Sequence, residues 1–294
     1  MEKAVYHLPG LFEFYDFYRK FLPVYREKTE YFYDWCQIGS LYGAPADCLW
    51  GGGRVGFGDA DPRQVLALTE EYGLSARLTF SNSLLCPEHL KDPKCNRLCA
   101  LFGAEPGNGV IVHSELLLDY LKVKYPNFYF VSSTTKVLTD FEDLAAETER
   151  PDFRYVVPDF RLNKDFDRLA GLKEKRKVEF LCNECCWPGC RERKECYENV
   201  SRKNLGEHCP DHICAAPEGE KGYRFSAAMK NPAFIGIRDI RETYLPMGFS
   251  QFKIEGRGLG NAMLLEFILY YLTKPEYQLP LREEMYLDSM LDLF

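Results

Sequence analysis

Residues 109–159 read GVIVHSELLLDYLKVKYPNFYFVSSTTKVLTDFEDLAAETERPDFRYVVPD, three short β-rich runs separated by two segments of helical pattern. The runs are GVIVHS (109–114), FYFVSS (128–133) and RYVVPD (154–159), dense in β-branched and aromatic residues. Between them, at 115–125 and 138–148, apolar residues recur at helical spacing. Strand, helix and strand in this rhythm mark βαβ units.

The rhythm extends outward on both sides, at roughly 25 to 35 residues per unit. Upstream lie 46–51 (ADCLWG) and 76–81 (ARLTFS). Downstream lie 177–184 (KVEFLCNE), 233–238 (AFIGIR) and 250–256 (SQFKIEG). Helical patterns occupy 62–73, 88–103, 164–174, 191–204, 238–246 and 260–273. That gives eight strands and eight helices, the number that closes a parallel barrel of about 250 residues. The expected fold is therefore α/β, a (β/α)8 TIM-type barrel over 46–273. A doubly wound open sheet is the alternative, but no G-x-G-x-x-G follows the first run. GGGRVGFG (51–58) has the wrong spacing and reads as a loop approaching a ligand.

Residues 1–45 stand outside the rhythm. The stretch 11–33, rich in aromatic and charged residues, reads as a helix broken at Pro23. The segment is expected to be an N-terminal helical cap on the barrel, and a docking surface should the chain work with a protein partner. Residues 274–294 read as a C-terminal tail with a short acidic amphipathic helix that docks on the barrel.

Composition narrows the function. Of 294 residues 46% are hydrophobic and 15% aromatic, enough for a large core and against global disorder. No run reaches the ~18 apolar residues of a membrane helix, and the start lacks a signal-peptide layout. A cytoplasmic protein without membrane contact is expected. The formal net charge of −7 disfavours nucleic acid as a partner and points to a small-molecule or protein substrate.

Seven of the twelve cysteines fall within 182–214: Cys182, Cys185, Cys186, Cys190, Cys196, Cys209 and Cys214. In a reducing compartment clustered thiols suggest a metal rather than disulfides. The segment starts where the sixth expected strand ends, so it is an insertion on the face that carries active sites in such barrels. Its spacing lacks the paired C-x2-C knuckles of zinc ribbons, although His208 and His212 flank Cys209. An iron–sulfur cluster, zinc, or free redox-active thiols remain open on spacing alone. Cys36 and Cys48 read as small buried apolar residues. Cys86, Cys95 and Cys99 read as packing or loop cysteines, with a second metal site as the alternative.

Residues at strand C-termini are the site candidates: Arg54, Asn82, His113, Ser133, Asp159, Arg161, Asn163, Glu184, Lys253, Glu255 and Arg257. Arg54 and Arg257 suit carboxylate or phosphate binding, and with Asn82, Arg161 and Asn163 make up the substrate-binding and clamping candidates. His113 suits acid–base work, Asp159 is a further catalytic candidate, and Lys253 and Glu255 share one strand face, where they either act or pair.

VEFLCNECCWPGC (178–190) followed by NLGEHCPDHIC (204–214), Phe252–Arg257 reading FKIEGR, and LTFSNSLL (78–85) together resemble the collagenase-like peptidase family U-thirty-two. The resemblance spans about residues 44 to 273. It implies a barrel with a cysteine-ligated iron–sulfur cluster, [4Fe–4S] in type, with Cys186, Cys190 and Cys209 as first ligands. The family's cysteine near the seventh strand is absent here, which leaves Cys196 and Cys214 for the fourth position. The resemblance also singles out Glu255 and Arg257. Some family members are peptidases; others support oxygen-independent hydroxylation, and the dense thiols favour that redox branch, with a small or aromatic substrate. The electron or oxygen donor is unidentified. A zinc-containing peptidase or hydrolase is the second reading, although neither H-E-x-x-H nor G-x-S-x-G occurs. The third is a non-enzymatic subunit that holds a cluster within a complex.

Overall fold

The computed structural model describes residues 2–52, 58–217 and 222–291, with backbone alone for 287–291. Eight parallel strands form one sheet: β1 (Ala4–Pro9), β2 (Cys36–Gly43), β3 (Ser75–Phe80), β4 (Gly109–Val112), β5 (Tyr129–Ser132), β6 (Phe153–Val156), β7 (Glu179–Leu181) and β8 (Gln251–Lys253). Their order is β6-β5-β4-β3-β2-β1-β8-β7, and a parallel bridge between Val156 and Val178 closes the ring. This is the expected (β/α)8 barrel.

Helices α1 (Tyr15–Glu27), α2 (Pro62–Glu71), α3 (Pro93–Phe102), α4 (Glu115–Lys124), α5 (Phe141–Glu149), α6 (Phe166–Ala170) and α7 (Arg193–Asn204) follow β1 to β7 in turn. Short α8 (Phe225–Ala228), α9 (Ile237–Asp239) and α10 (Leu245–Met247), the last two joined by a π turn, precede β8; α11 (Asn261–Tyr271) and α12 (Gln278–Leu291) follow it. Local chemistry sets the helix starts. Asp61, Asp92, Ser114 and Asp140 each accept a hydrogen bond from a backbone N–H of the first turn, and Pro62 and Pro93 occupy positions where a missing N–H costs nothing. No helix among the described residues is long and apolar enough to cross a membrane.

The strands are buried on both faces, as parallel strands wrapped by helices must be. Alternation then divides each strand's side chains between two cores. Outward residues such as Tyr6, Leu78, Val110, Phe130, Phe180 and Phe252 pack under the helices in one large cluster. Tyr42, Ile111, Val131, Val157 and Leu181 form a second, smaller cluster inside the ring. On β8 the same alternation sends Phe252 outward and Lys253 inward.

Several expectations need correction. Residues 1–45 are not a helical cap: they carry β1 and β2, and α1 is the first barrel helix. The sequence hid these strands because β1 has an apolar run without alternation, and β2 (CQIGSLYG) contains two glycines. Those glycines serve packing: a Cβ at Gly39 would lie 2.4 Å from Val5 Cγ1, and one at Gly43 2.9 Å from Leu11 N. Helix α1 also continues through Pro23, held by its buried face of Phe17, Tyr18, Phe21 and Leu22.

Two expected strands are absent. ADCLWG (46–51) is a turn that seats buried Trp50, whose indole N–H donates to His89 O at 2.7 Å. AFIGIR (233–238) makes a single ladder-like bond, Ile235 N to Cys182 O at 2.9 Å, before α9 begins. Two missed strands and two false ones leave the count at eight. The cysteine-rich segment therefore follows the seventh strand of the barrel, not the sixth. The C-terminal helix docks through Leu281 and Met285, with Arg282 bonded to Glu266 on α11 at 2.8 and 3.0 Å.

Candidate functional site at the barrel mouth

The inward positions form layers. Lowest are His7, Ser40, Arg77, Glu179 and Gln251, all buried in the ring. Arg77 donates to Glu179 Oε2 at 2.5 Å and through Nε to the Tyr129 hydroxyl at 2.7 Å. His7 Nδ1 meets Ser40 Oγ at 2.8 Å, and its Nε2 meets Gln251 Oε1 at 3.1 Å. Above them Lys253 Nζ reaches Glu179 Oε1 at 3.3 Å and lies 3.7 Å from the centre of the Tyr42 ring. The sequence reading missed this floor. Its signal was present, in the charged residues Arg77 and Glu179 at inward positions of otherwise apolar runs.

Burial opposes every charge here, so pairing decides each state. Burial would raise the Glu179 carboxyl, but Arg77, with His7 and Lys253, overrides it and holds the group well below the carboxylate range. Burial lowers His7 to about 3, aided by Arg77, so the imidazole is neutral. Burial also lowers Lys253, to about 8, with Glu179 resisting the shift and Arg77 and Arg257 adding to it.

A cavity of about 50 Å³ opens above this floor, lined by Lys253, Glu255, Arg257, Thr79, Ser133 and Glu184 among others. The β8 exit thus delivers its three charged candidates to one place, since alternate residues share a face. Arg257 donates to Thr79 Oγ1 at 3.2 Å. Asn183 fixes the Glu255 backbone, accepting from its N–H at 2.7 Å and donating to its carbonyl at 3.0 Å.

Ser133 and Thr135 are engaged with each other. Ser133 Oγ accepts from Thr135 N at 3.2 Å and from Thr135 Oγ1 at 2.9 Å, and Thr135 Oγ1 meets His113 Nδ1 at 2.8 Å. Burial, with Lys136 and Lys194, lowers His113 to about 4. His113 sits behind the cavity wall as a hydrogen-bonded anchor of this turn.

The other candidates hold loops. Asp159 accepts from Arg161 Nε at 2.6 Å and lies 3.5 Å from Arg193 Nε. Arg161 passes that anchor on to Cys190 O at 2.8 Å. Glu184 accepts from the backbone N–H of Cys185 and Cys186 at 2.9 and 3.0 Å, and from Arg193 Nη2 at 2.6 Å. Asn163 donates to Leu181 O and Ala233 O, and Asn82 to Leu49 O and Ser201 O. Arg54 lies outside the described residues.

The cysteine segment therefore leaves β7 and is tied down at the mouth by its backbone. None of the twelve cysteines forms a disulfide. Cys182 is buried on the outward face of β7, where burial pushes its thiol up. Cys186, Cys196 and Cys209 are partly exposed, Cys214 exposed and Cys190 buried. Among the described residues no group of three or more His, Cys, Asp or Glu side chains is gathered to hold a metal ion. The donor chemistry of the segment nevertheless fits one, and Arg193 adds an unusual feature. This arginine, also missed in the sequence, is buried with its Nη1 unbonded, and its charge senses the Cys186 thiol. A buried donor with no acceptor needs an explanation, and a thiolate or sulfide beside it would supply one. Elsewhere, Cys48 and Cys95 thiols meet at 3.7 Å in the core, and Cys86 Sγ lies 3.3 Å from His89 Nδ1.

No family model and no curated protein matches the sequence. Among solved structures the chain is similar to the one titled "The Structure of the U32 Peptidase Mk0906", at 13% identity over 86% of this chain and 92% of that one, with a TM-score of 0.51. At that identity the likeness is one of fold: the chain has the barrel of a U32 peptidase.

Proposed function

We propose that the chain is an iron–sulfur enzyme built on a U32-type barrel, carrying out oxygen-independent hydroxylation or related redox chemistry on a small substrate at the barrel mouth. The observation that carries this reading is the tethering of a thiol-rich segment beside a polar, charged cavity. Asp159, Arg161 and Glu184 hold its backbone, and the buried Arg193, with an unbonded N–H, is close enough for the Cys186 thiol to act on its charge. Cys186, Cys190 and Cys209 would hold the cluster, with Cys196 or Cys214 completing four ligands. When bound, a cluster supplies single-electron transfer. Arg257 and Lys253 would orient an anionic substrate group, and the packed ring beneath them closes the cavity from below.

Peptide hydrolysis, which the neighbour's title names, is less well supported. It needs a nucleophile activated by a base. Ser133 and Thr135 in the cavity are committed to each other, and a space of about 50 Å³ suits a small molecule better than a peptide.

The test is anaerobic purification with iron, sulfide and zinc quantification and an absorption spectrum. The expected result is about four irons per chain with matching sulfide and a dithionite-bleached band. Cys186→Ala, Cys190→Ala and Cys209→Ala should each lose it. Stoichiometric zinc without iron would overturn the redox reading and bring a hydrolase or structural zinc forward.

A further inference from the structure

Lys253 is the one lysine lining the mouth cavity among the described residues, and its surroundings differ from those of a structural ion pair. The Glu179 carboxylate that it contacts at 3.3 Å is already claimed at 2.5 Å by Arg77. Arg77 cannot release its proton, so of the two cations sharing one carboxylate the lysine is the one able to become neutral. It also faces the Tyr42 ring at 3.7 Å, and Glu255, Glu184 and Arg257 line the cavity with it. The amine thus meets the cavity from a buried floor in which it shares the Glu179 carboxylate with Arg77.

Arg257 sits on the same wall, its guanidinium carbon 5.8 Å from the Tyr42 ring centre. Four residues further along the same strand exit, it brings a fixed positive charge and planar donors to the space above the amine. The cavity of about 50 Å³ has room for about three or four waters by volume, the size of a two- or three-carbon acid.

We propose that Lys253 binds a small 2-oxo acid covalently, as an imine, with Arg257 holding the carboxylate. The neutral amine attacks the carbonyl carbon, so that a C–N bond forms and the C–O double bond opens. The two amine protons leave with the carbonyl oxygen as water, and a C=N double bond remains. No oxidant or reductant is consumed. The inference goes beyond the cluster reading and does not depend on it. A lysine used only to balance Glu179 would show none of this reactivity.

The experiment treats the protein as purified with glyoxylate or pyruvate, then with sodium cyanoborohydride, and maps the reduced adduct by peptide mass spectrometry. Iron is measured on the same sample, so that loss of the cluster and failure of imine formation are read separately. Labelling should concentrate on the Lys253 peptide and rise with pH around a midpoint near 8. It should vanish in Lys253→Arg, which keeps the charge. Arg257→Met should weaken half-saturation by glyoxylate about tenfold or more, while acetaldehyde labelling, compared on the high-pH plateau where the amine is neutral in both proteins, stays unchanged. Melting curves of both variants establish that they fold. Adducts confined to surface lysines, total labelling undiminished in a folded Lys253→Arg, or glyoxylate labelling of Lys253 indifferent to Arg257→Met, would overturn the proposal.

Discussion

Replacing Glu179 by Gln tests the physical account of the barrel floor. The substitution keeps the side chain's shape and one acceptor oxygen for Arg77, but removes the only negative charge among Arg77, Lys253 and His7. Lys253 can respond by giving up its proton; Arg77, 1% exposed and permanently charged, cannot. The cost is therefore that of leaving one buried guanidinium without its counter-charge, about 3–5 kcal/mol. At roughly 2–4 °C per kcal/mol, Tm should fall by roughly 6–20 °C. Urea unfolding at pH 7, where Glu179 is fully ionised in the native protein, measures the loss directly. The double variant Arg77→Leu with Glu179→Leu removes both charges and should be more stable than Glu179→Gln alone, since neither ion is then buried unpaired. A Glu179→Gln protein within about 1 kcal/mol of the parent, or a double variant less stable than the single one, would refute the reasoning.

Three further outcomes follow from the same structure. Lys253 titrates near 8 in the folded chain against 10.5 unfolded, so between those values the unfolded state holds more protons and stability rises with pH. Lys253→Met should abolish that rise, worth about 3 kcal/mol by pH 10.5, when urea midpoints are compared from pH 7 to 10.5. His7, lowered from 6.5 to about 3, refuses a proton that the unfolded chain accepts; stability should fall as pH drops through that window, by up to roughly 1.4 kcal/mol per pH unit, and His7→Gln should flatten the fall. Asp159→Asn removes the charge that anchors Arg161 and Arg193, so it should cost about 1–3 kcal/mol and lower the iron retained after anaerobic purification, whereas an intact iron content would detach Asp159 from the cysteine segment.

How much was legible in the sequence depended on alternation and on burial. The runs from Ser75 to Val156 were read correctly because short apolar strands there are separated by well-capped helices. β1 and β2 were invisible for a physical reason: burial on both faces erases alternation, and Gly39 and Gly43, needed for close strand approach, dilute the β signal. Trp50 and Ile235 misled because a buried apolar residue in a loop looks like one in a strand. In the site, the spacing of Lys253, Glu255 and Arg257 was enough to bring them to one cavity, since a strand's period is fixed. Asp159, Arg161, Asn82 and Asn163 turned out to hold loops. Sequence alone does not say whether a polar side chain at a strand end faces substrate or backbone. Arg77 and Glu179 stand out as charges in apolar runs, but what they do, like what Arg193 does, lies in pairings 102 and 9 residues apart that the spacing alone does not reveal.

The floor and the mouth form one electrostatic unit, joined at Lys253. Arg77 and Glu179 cancel each other at 2.5 Å, so the lysine charge stands as a surplus in a space that burial already penalises, with Arg257 adding to it from above. The protonation state of the amine is therefore set from below by residues that never reach the cavity. Glu179→Gln removes the attraction that resists deprotonation, so the midpoint of Lys253 labelling should move below 8. Arg77→Met removes a repelling cation and frees Glu179 for the lysine alone, so the same midpoint should move above 8. The two substitutions touch the same salt bridge from opposite sides, and a purely structural loss would shift labelling the same way in both. Opposite shifts in two destabilised proteins would establish that the buried pair tunes the chemistry of the mouth as well as holding the barrel together.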